Sequence, residues 1–183
     1  MNDYQKIFNY DNLSESKLVQ MNDKKNMYTN TISAAGCLFY KNTKNGKELL
    51  LIKYADPSWP KLDDLGGKID SNDKTIIDTI VREVGEESNN IISESQIRNL
   101  LLQKENKYFY NKQSKYYLIL VKVDDKFFPD TSVFGDKEEH DKINRTINWY
   151  NFIDIKQKLA YRLVGTIQLM KELGNRSTGS CYL

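Results

Sequence analysis

The chain has 183 residues, with 27 basic against 25 acidic side chains, a formal charge of +2 and 39% hydrophobic residues. That length suits one ordinary domain and is short for two, and the near balance of charge removes any bulk electrostatic case for nucleic acid or a membrane surface. No run approaches the roughly 20 apolar residues of a membrane helix, and the opening MNDYQKIFNYDNLSESK has no apolar signal core, so an intracellular, cytoplasmic protein is expected.

In chain order, residues 1–30 are polar and read as an N-terminal extension, in which LSESKLVQM offers a short helix behind a serine cap. From Thr31, TISAAGCLFYK and ELLLIKYA, separated by the turn-prone NTKNGK, predict a hairpin. The second run is apolar almost throughout, as in a strand covered on both faces. Cys37 reads as a buried structural thiol; Cys181 is far away in a Ser/Gly-rich stretch, and both are expected to be reduced. The loop PSWPKLDDLGGKID leads to a long helix with Ile76, Ile77, Ile80, Val81 and Val84 on one face and Asp73 as its expected cap.

Residues 94–102 fit helix or strand equally, and KYFY with KYYLILVKV predicts a second hairpin. PDTSVFGDKEEHDKI is an acidic loop, RTINWYNF a short strand with Trp149 in the core, and IKQKLAYRLVGTIQLMKEL one amphipathic closing helix. Residues 31–173 thus form one domain, followed by a flexible tail at 174–183. Strands and helices interleave without regular alternation, which predicts an α/β sandwich around a mixed sheet, not a doubly wound parallel one.

The central helix poses an electrostatic problem. Glu83, Glu86 and Glu87 crowd its carboxyl end, where the backbone dipoles already place partial negative charge; each repulsion costs a few tenths of a kcal/mol to about 1. A divalent cation resolves it. Magnesium prefers a few carboxylate oxygens together with water and substrate phosphate, and a cation also complements the helix dipole. Gly66 and Gly67 let the backbone or a phosphate approach closely, and Lys68 brings positive charge to phosphate oxygens. Metal carboxylates beside a phosphate loop indicate hydrolysis of a phosphoanhydride. An isolated REVGEE reads more simply as a solvated helix face; its distance from GGK, between strands, favours the site.

GGKIDSNDKTIIDTIVREVGEESN resembles the signature box of the Nudix hydrolases, whose core, Arg-Glu-apolar-x-Glu-Glu, is matched position by position by Arg82 to Glu87. The resemblance implies an α/β/α sandwich and Mg2+- or Mn2+-dependent cleavage of a nucleoside diphosphate linked to another group. It further implies that Glu83, Glu86 and Glu87 bind metal, Glu83 being also a candidate base, that the Gly66 carbonyl can join them, and that Arg82 orients the glutamates. Gly67 and Lys68 then serve the phosphates. Three departures stand out: Asp73 occurs where the box has its first glutamate, the spacing from Asp73 to Arg82 is one residue longer, and Asn89 replaces the closing glycine.

Family members often draw a further carboxylate, as metal ligand or base, from a downstream loop; DKEEH offers Glu138 for the metal and Glu139 for catalysis, while His140, the only histidine, is expected to be exposed. Trp59, in its proline-stiffened loop, is the best candidate to stack on a nucleobase, ahead of Tyr54 and Tyr108 to Tyr110. The expected partner is a nucleotide-type small molecule, with capped RNA as an alternative substrate and a non-catalytic nucleotide sensor as an alternative role. The chain is expected to be a monomer or homodimer with no membrane partner.

Overall fold

Residues 32–111 and 113–174 are described by a computed structural model. Strands β1 (Ala34–Thr43) and β2 (Gly46–Tyr54) pair antiparallel as the expected hairpin, and β5 (Lys107–Asn111) with β6 (Tyr116–Lys122) as the second. The short strands β3 (Leu62–Asp63) and β4 (Leu65–Lys68) come from the glycine loop, and β7 (Arg145–Asn151) completes a seven-stranded sheet. The sheet is mixed, because β1 runs parallel to β6 and antiparallel to β2 and β4.

Alternation along the strands fills two cores. Ala35, Cys37, Phe39, Leu50, Ile52 and Ile119 face Ile77, Ile80 and Val84 of α1 (Ile76–Glu87) and Ile97 of α2 (Glu94–Leu101). Leu38, Leu49, Leu51, Leu118 and Leu120 face Phe152 and Ile155 of α3 (Phe152–Ile155), Leu159, Leu163 of α4 (Tyr161–Val164), and Leu169 and Leu173 of α5 (Ile167–Gly174). Helices therefore cover both faces of the sheet in an α/β/α sandwich, which is why the strands read as almost continuous apolar runs. Cys37 is a buried free thiol. Among the described residues no helix is long and apolar enough to cross a membrane.

Several local expectations change. The N-cap of α1 is Thr75, whose side chain accepts from the Asp78 amide; Asp73 is already engaged by the Asp70 amide and by Arg82. Residues 94–101 are helical, started by Ser93, whose hydroxyl accepts from the Gln96 amide. The single closing helix is three pieces: a 3-10 turn at Lys156–Lys158, α4 and α5. It breaks because Leu159 and Ala160 lend their backbone to β3: Leu159 bridges Leu62, and the Ala160 amide donates to the Leu62 carbonyl. Trp149 is only partly buried, with its Nε1 donating to the Phe128 carbonyl and the Lys41 ammonium 4.3 Å above its ring. The extension at 1–30 with its short helix, and the tail at 174–183 beyond Gly174, including Cys181, lie outside the described residues.

One topological detail positions the site. β1 and β2 are hydrogen-bonded through Tyr40–Thr43 and Gly46–Leu49 and then diverge. On the edges that face each other across this fork, β2 takes β3 as partner at Ile52 and Lys53, and β1 takes β4 at Ala34 to Cys37. Residues 62–68 thus cross from one arm to the other, with Asp64 at the corner and Gly36 opposite Gly66 in the register. A Cβ on Gly36 would overlap Tyr116 Oη and the Asp64 carboxylate and stand 2.8 Å from the Leu65 carbonyl. Gly36→Ala is expected to lower stability by roughly 3 kcal/mol, the upper range for overpacking against backbone, read as a shift in the urea midpoint at unchanged slope.

Candidate functional site

Helix α1 ends in a tight reversal that fixes its three glutamates. The Asn90 amide donates to the Gly85 carbonyl at 2.7 Å and the Asn89 amide to the Glu86 carbonyl at 3.0 Å, with Asn89 and Asn90 both left-handed at φ 53° and 58°. This double closure is the motif that a glycine commonly provides, and asparagine tolerates the same conformation. The buried Arg145 donates one guanidinium nitrogen to the Glu87 carbonyl and another to the carbonyls of Phe134 and Gly135. A cation at this carboxyl end offsets the dipole that the glutamates would otherwise aggravate.

The glutamates then face the glycine strand. The Gly66 amide donates to Glu87 Oε2 at 2.7 Å, and Tyr54 Oη lies 3.4 Å from Glu87 Oε1. The Glu83 carboxylate packs on Gly67 so closely that a Cβ there would overlap it. Burial pushes the carboxyl groups of Glu87 and Glu83 above their usual range, opposed by Arg162 at Glu87 and by Arg82 at Glu83. Arg82 is the fork that gathers the cluster: one nitrogen reaches Glu83 Oε1 at 2.8 Å and Glu86 Oε2 at 2.9 Å, another reaches Asp73 Oδ2 at 3.0 Å and the Lys68 carbonyl at 2.7 Å. The ion pair between Asp73 and Arg82 forms despite the extra residue between them.

A second buried charge group lies beneath the corner. Asp64 is fully buried, Asp63 nearly so, and Arg162 Nε meets Asp63 Oδ1 at 2.7 Å and Asp64 Oδ1 at 2.9 Å. Tyr116 Oη donates to Asp64 Oδ2 at 2.7 Å, and the Arg162 guanidinium stacks 4.4 Å over the Tyr116 ring. Arg162 also donates to the Gly66 carbonyl at 3.1 Å. Two buried carboxylates share one guanidinium, and burial pushes Asp63 up to about 7.

Asn89 also staples the acidic loop to the helix end. Its side-chain amide donates to the carbonyls of Phe134 and Lys137, and its oxygen accepts the Glu139 amide. Glu138 is buried and accepts the Asp141 amide; with His140 and Asp141 it forms a group of possible metal ligands whose atoms lie within 4.8 Å of one another. His140 Nε2 is 3.7 Å from Glu86 Oε1, and its ring is exposed. Glu139 points away to solvent, where Lys142 at 2.8 Å holds its carboxyl below the usual range.

The structure therefore brings Gly66, Gly67, Arg82, Glu83, Glu86 and Glu87 together, with Glu138 in the loop stapled beside them. The Gly66 carbonyl is occupied by Arg162, and Lys68 is at the rim with an exposed side chain. Trp59 is half exposed in the loop after β2, and Tyr108 is packed beside Tyr117 in the core. Sequence reasoning missed Arg145, Arg162 and Asp64, and it named Tyr54 for stacking on a base, whereas its hydroxyl faces Glu87. Arg145 lies 58 residues beyond Glu87 and Arg162 farther still, and the one available signal was the Asp-Asp pair before Leu65-Gly66-Gly67.

The sequence profile of the NUDIX domain matches residues 30–169. The chain belongs to the Nudix family. No curated protein matches it. Among solved structures, it is similar to the C. elegans Ap4A hydrolase in a binary complex, at 19% identity over 76% of this chain and 93% of that one, with a TM-score of 0.47. It is similar also to the NUDIX domain of Shewanella oneidensis NrtR complexed with ADP ribose, at 13% identity over 87% and 98%, TM-score 0.49. A third is the Francisella tularensis bifunctional NMN adenylyltransferase/ADP ribose pyrophosphatase complexed with AMP and Mn ion, at 17% identity over 95% of this chain and 50% of that one, TM-score 0.48.

The charge crowding at this Nudix site has a pH consequence. Asp63, Glu83 and Glu87 all have folded-state values raised above those of an unfolded chain, so between about pH 4 and 7 the folded protein holds more protons than the unfolded chain. Stability of the metal-free protein is therefore expected to fall over that interval. Asp63→Asn, which has no proton to lose, is expected to flatten the fall, measured as urea midpoints between pH 4.5 and 7.5 in chelator.

Proposed function

We propose that this Nudix protein is a divalent-metal-dependent pyrophosphohydrolase that cleaves the diphosphate of a nucleoside diphosphate linked to another group. The reading rests on one observation: the carboxylates of Glu83 and Glu87 are seated on the adjacent glycines Gly67 and Gly66, with Glu86 tied to Glu83 through Arg82. The donor set fits a hard cation. All its side-chain donors are carboxylate oxygens, as Mg2+ and Mn2+ prefer, and the burial that raises Glu83 and Glu87 is relieved by positive charge at that position. Glu83, Glu86 and Glu87 would hold the cation, with Glu138 a candidate from the loop.

When bound, such a cation neutralises the diphosphate oxygens and acidifies water. The chain's own residues supply the rest. Water attacks one phosphorus, the bond from that phosphorus to the bridging oxygen breaks, and the second phosphate leaves. In this reading Glu83 accepts the proton of the attacking water. Arg82 keeps Glu83 and Glu86 in register, while Gly67, lacking a Cβ, leaves room for Glu83. Lys68 at the rim offers its ammonium to the phosphates, and Trp59 offers an exposed ring to a base. The near-neutral net charge favours small nucleotides over capped RNA.

The test is turnover with magnesium and a panel of dinucleotides, nucleotide sugars, ADP-ribose, nucleoside triphosphates and capped RNA. The Glu86→Gln/Glu87→Gln double variant is expected to lose at least a hundredfold in kcat. Ligand-induced stabilisation without turnover in the parent would replace hydrolysis with a sensor role. Gly67→Ala separates geometry from charge: the new methyl displaces only the flexible end of Glu83. Its stability is expected to change by less than about 1 kcal/mol while turnover falls with the glutamates all present.

A further inference from the structure

The geometry points to Arg162 as a positioning residue for the glutamate site, acting through the Gly66 peptide; this rests on the reading of that site as a cation site. Arg162 comes from α4, on the face of the sheet opposite α1, and reaches the corner where residues 62–68 change strand partner. There it touches both ends of the corner at once. Its Nε meets the carboxylates of Asp63 and Asp64, and its Nη2 lies 3.3 Å from the Asp64 carbonyl and 3.1 Å from the Gly66 carbonyl.

The amide of the same residue donates to Glu87 Oε2. A guanidinium from α4 on the carbonyl and a carboxylate from α1 on the amide both hold Gly66, so the seat of Glu87 depends on a side chain that makes no hydrogen bond or ion pair with the glutamate. Gly66 can occupy this place only without a Cβ, which would overlap Gly36 Cα and Tyr116 Oη. Gly67, the seat of Glu83, is the next residue, so a displacement of the corner moves both glutamate seats together.

The shape of the guanidinium matters here as much as its charge. A planar fork spans two carboxylates and two carbonyls, whereas an ammonium is a compact point charge with three donors. Arg162→Lys preserves positive charge beside the fully buried Asp64, so the fold does not face an uncompensated buried carboxylate. It releases the Gly66 carbonyl.

Two measurements on the full chain test this. In 15N NMR of the metal-free protein, Arg162→Lys is expected to speed hydrogen exchange at the Gly66 amide roughly tenfold relative to core amides such as Leu51 and Ile119. By calorimetry with Mn2+, the same variant is expected to bind roughly tenfold more weakly than the parent, the usual scale for losing an outer support of a metal site. Arg98→Lys, which perturbs the ion pair to Asp78 of α1 and the pair to Glu94 within α2, is the control expected to change neither. If Gly66 exchange is unchanged, or rises only in step with the core amides, Arg162 is a general stabiliser and the inference is overturned. Equal Mn2+ affinity in parent and Arg162→Lys overturns it as well. A parent that takes up no Mn2+, even beside a nucleotide, overturns the cation-site reading first and this inference with it, so the two failures are told apart.

Discussion

The structure turns on accommodating carboxylates that have no reason to be together. Asp63, Asp64, Asp73, Glu83, Glu86 and Glu87 gather around residues 62–73 and the end of α1, and each is held by Arg82 or Arg162 or by backbone that Arg145 or Arg162 supports. Arg82 lies within the helix and bundles the exposed side of the cluster. Arg145, from the last strand, meets the helix carbonyl end, and Arg162, from α4, meets the buried corner. A buried guanidinium facing carboxylates contributes little net stability after desolvation, whereas removing one partner leaves a charge stranded at a cost of about 3–5 kcal/mol. The arrangement is therefore more a specification of geometry than a source of stability.

That geometry depends on the fork in the sheet. If β1 and β2 stayed paired along their full lengths, no room would remain for residues 62–68, and the glycines would not lie over the end of α1. Divergence opens a gap that β3 and β4 fill, each completing the ladder of one arm. The same crossing segment thus ends one strand pairing, starts another, and supplies an amide to Glu87. Small residues at Gly36, Gly66 and Gly67 follow from how closely backbone, Tyr116 and Glu83 approach there.

Asn89 shows how a departure from a motif acquires a use. A glycine at this position would satisfy the left-handed turn and nothing more. Asparagine satisfies the turn and adds an amide that binds Phe134, Lys137 and Glu139, which brings the loop carrying Glu138 and His140 against the end of α1. Loop and helix end are thereby held together, although 45 or more residues separate them along the chain.

Periodicity alone determined the hairpins, the apolar stripe of α1 and the mixed sandwich, because strands covered on both faces and an amphipathic helix leave patterns that neighbouring residues impose. The Arg82–Glu87 run and the paired glycines were legible for the same reason: they lie within one local stretch. The cap of α1 passed from Asp73 to Thr75 because Asp73 was claimed by Arg82, and the closing helix broke at Leu159 because β3 needed a backbone partner. Arg145 and Arg162 were illegible, since an arginine on a short strand or helix looks the same whether it meets water or a buried carboxylate. Only the fold, by bringing distant segments to one corner, decided which arginines would be taken out of solvent and which carboxylates they would hold.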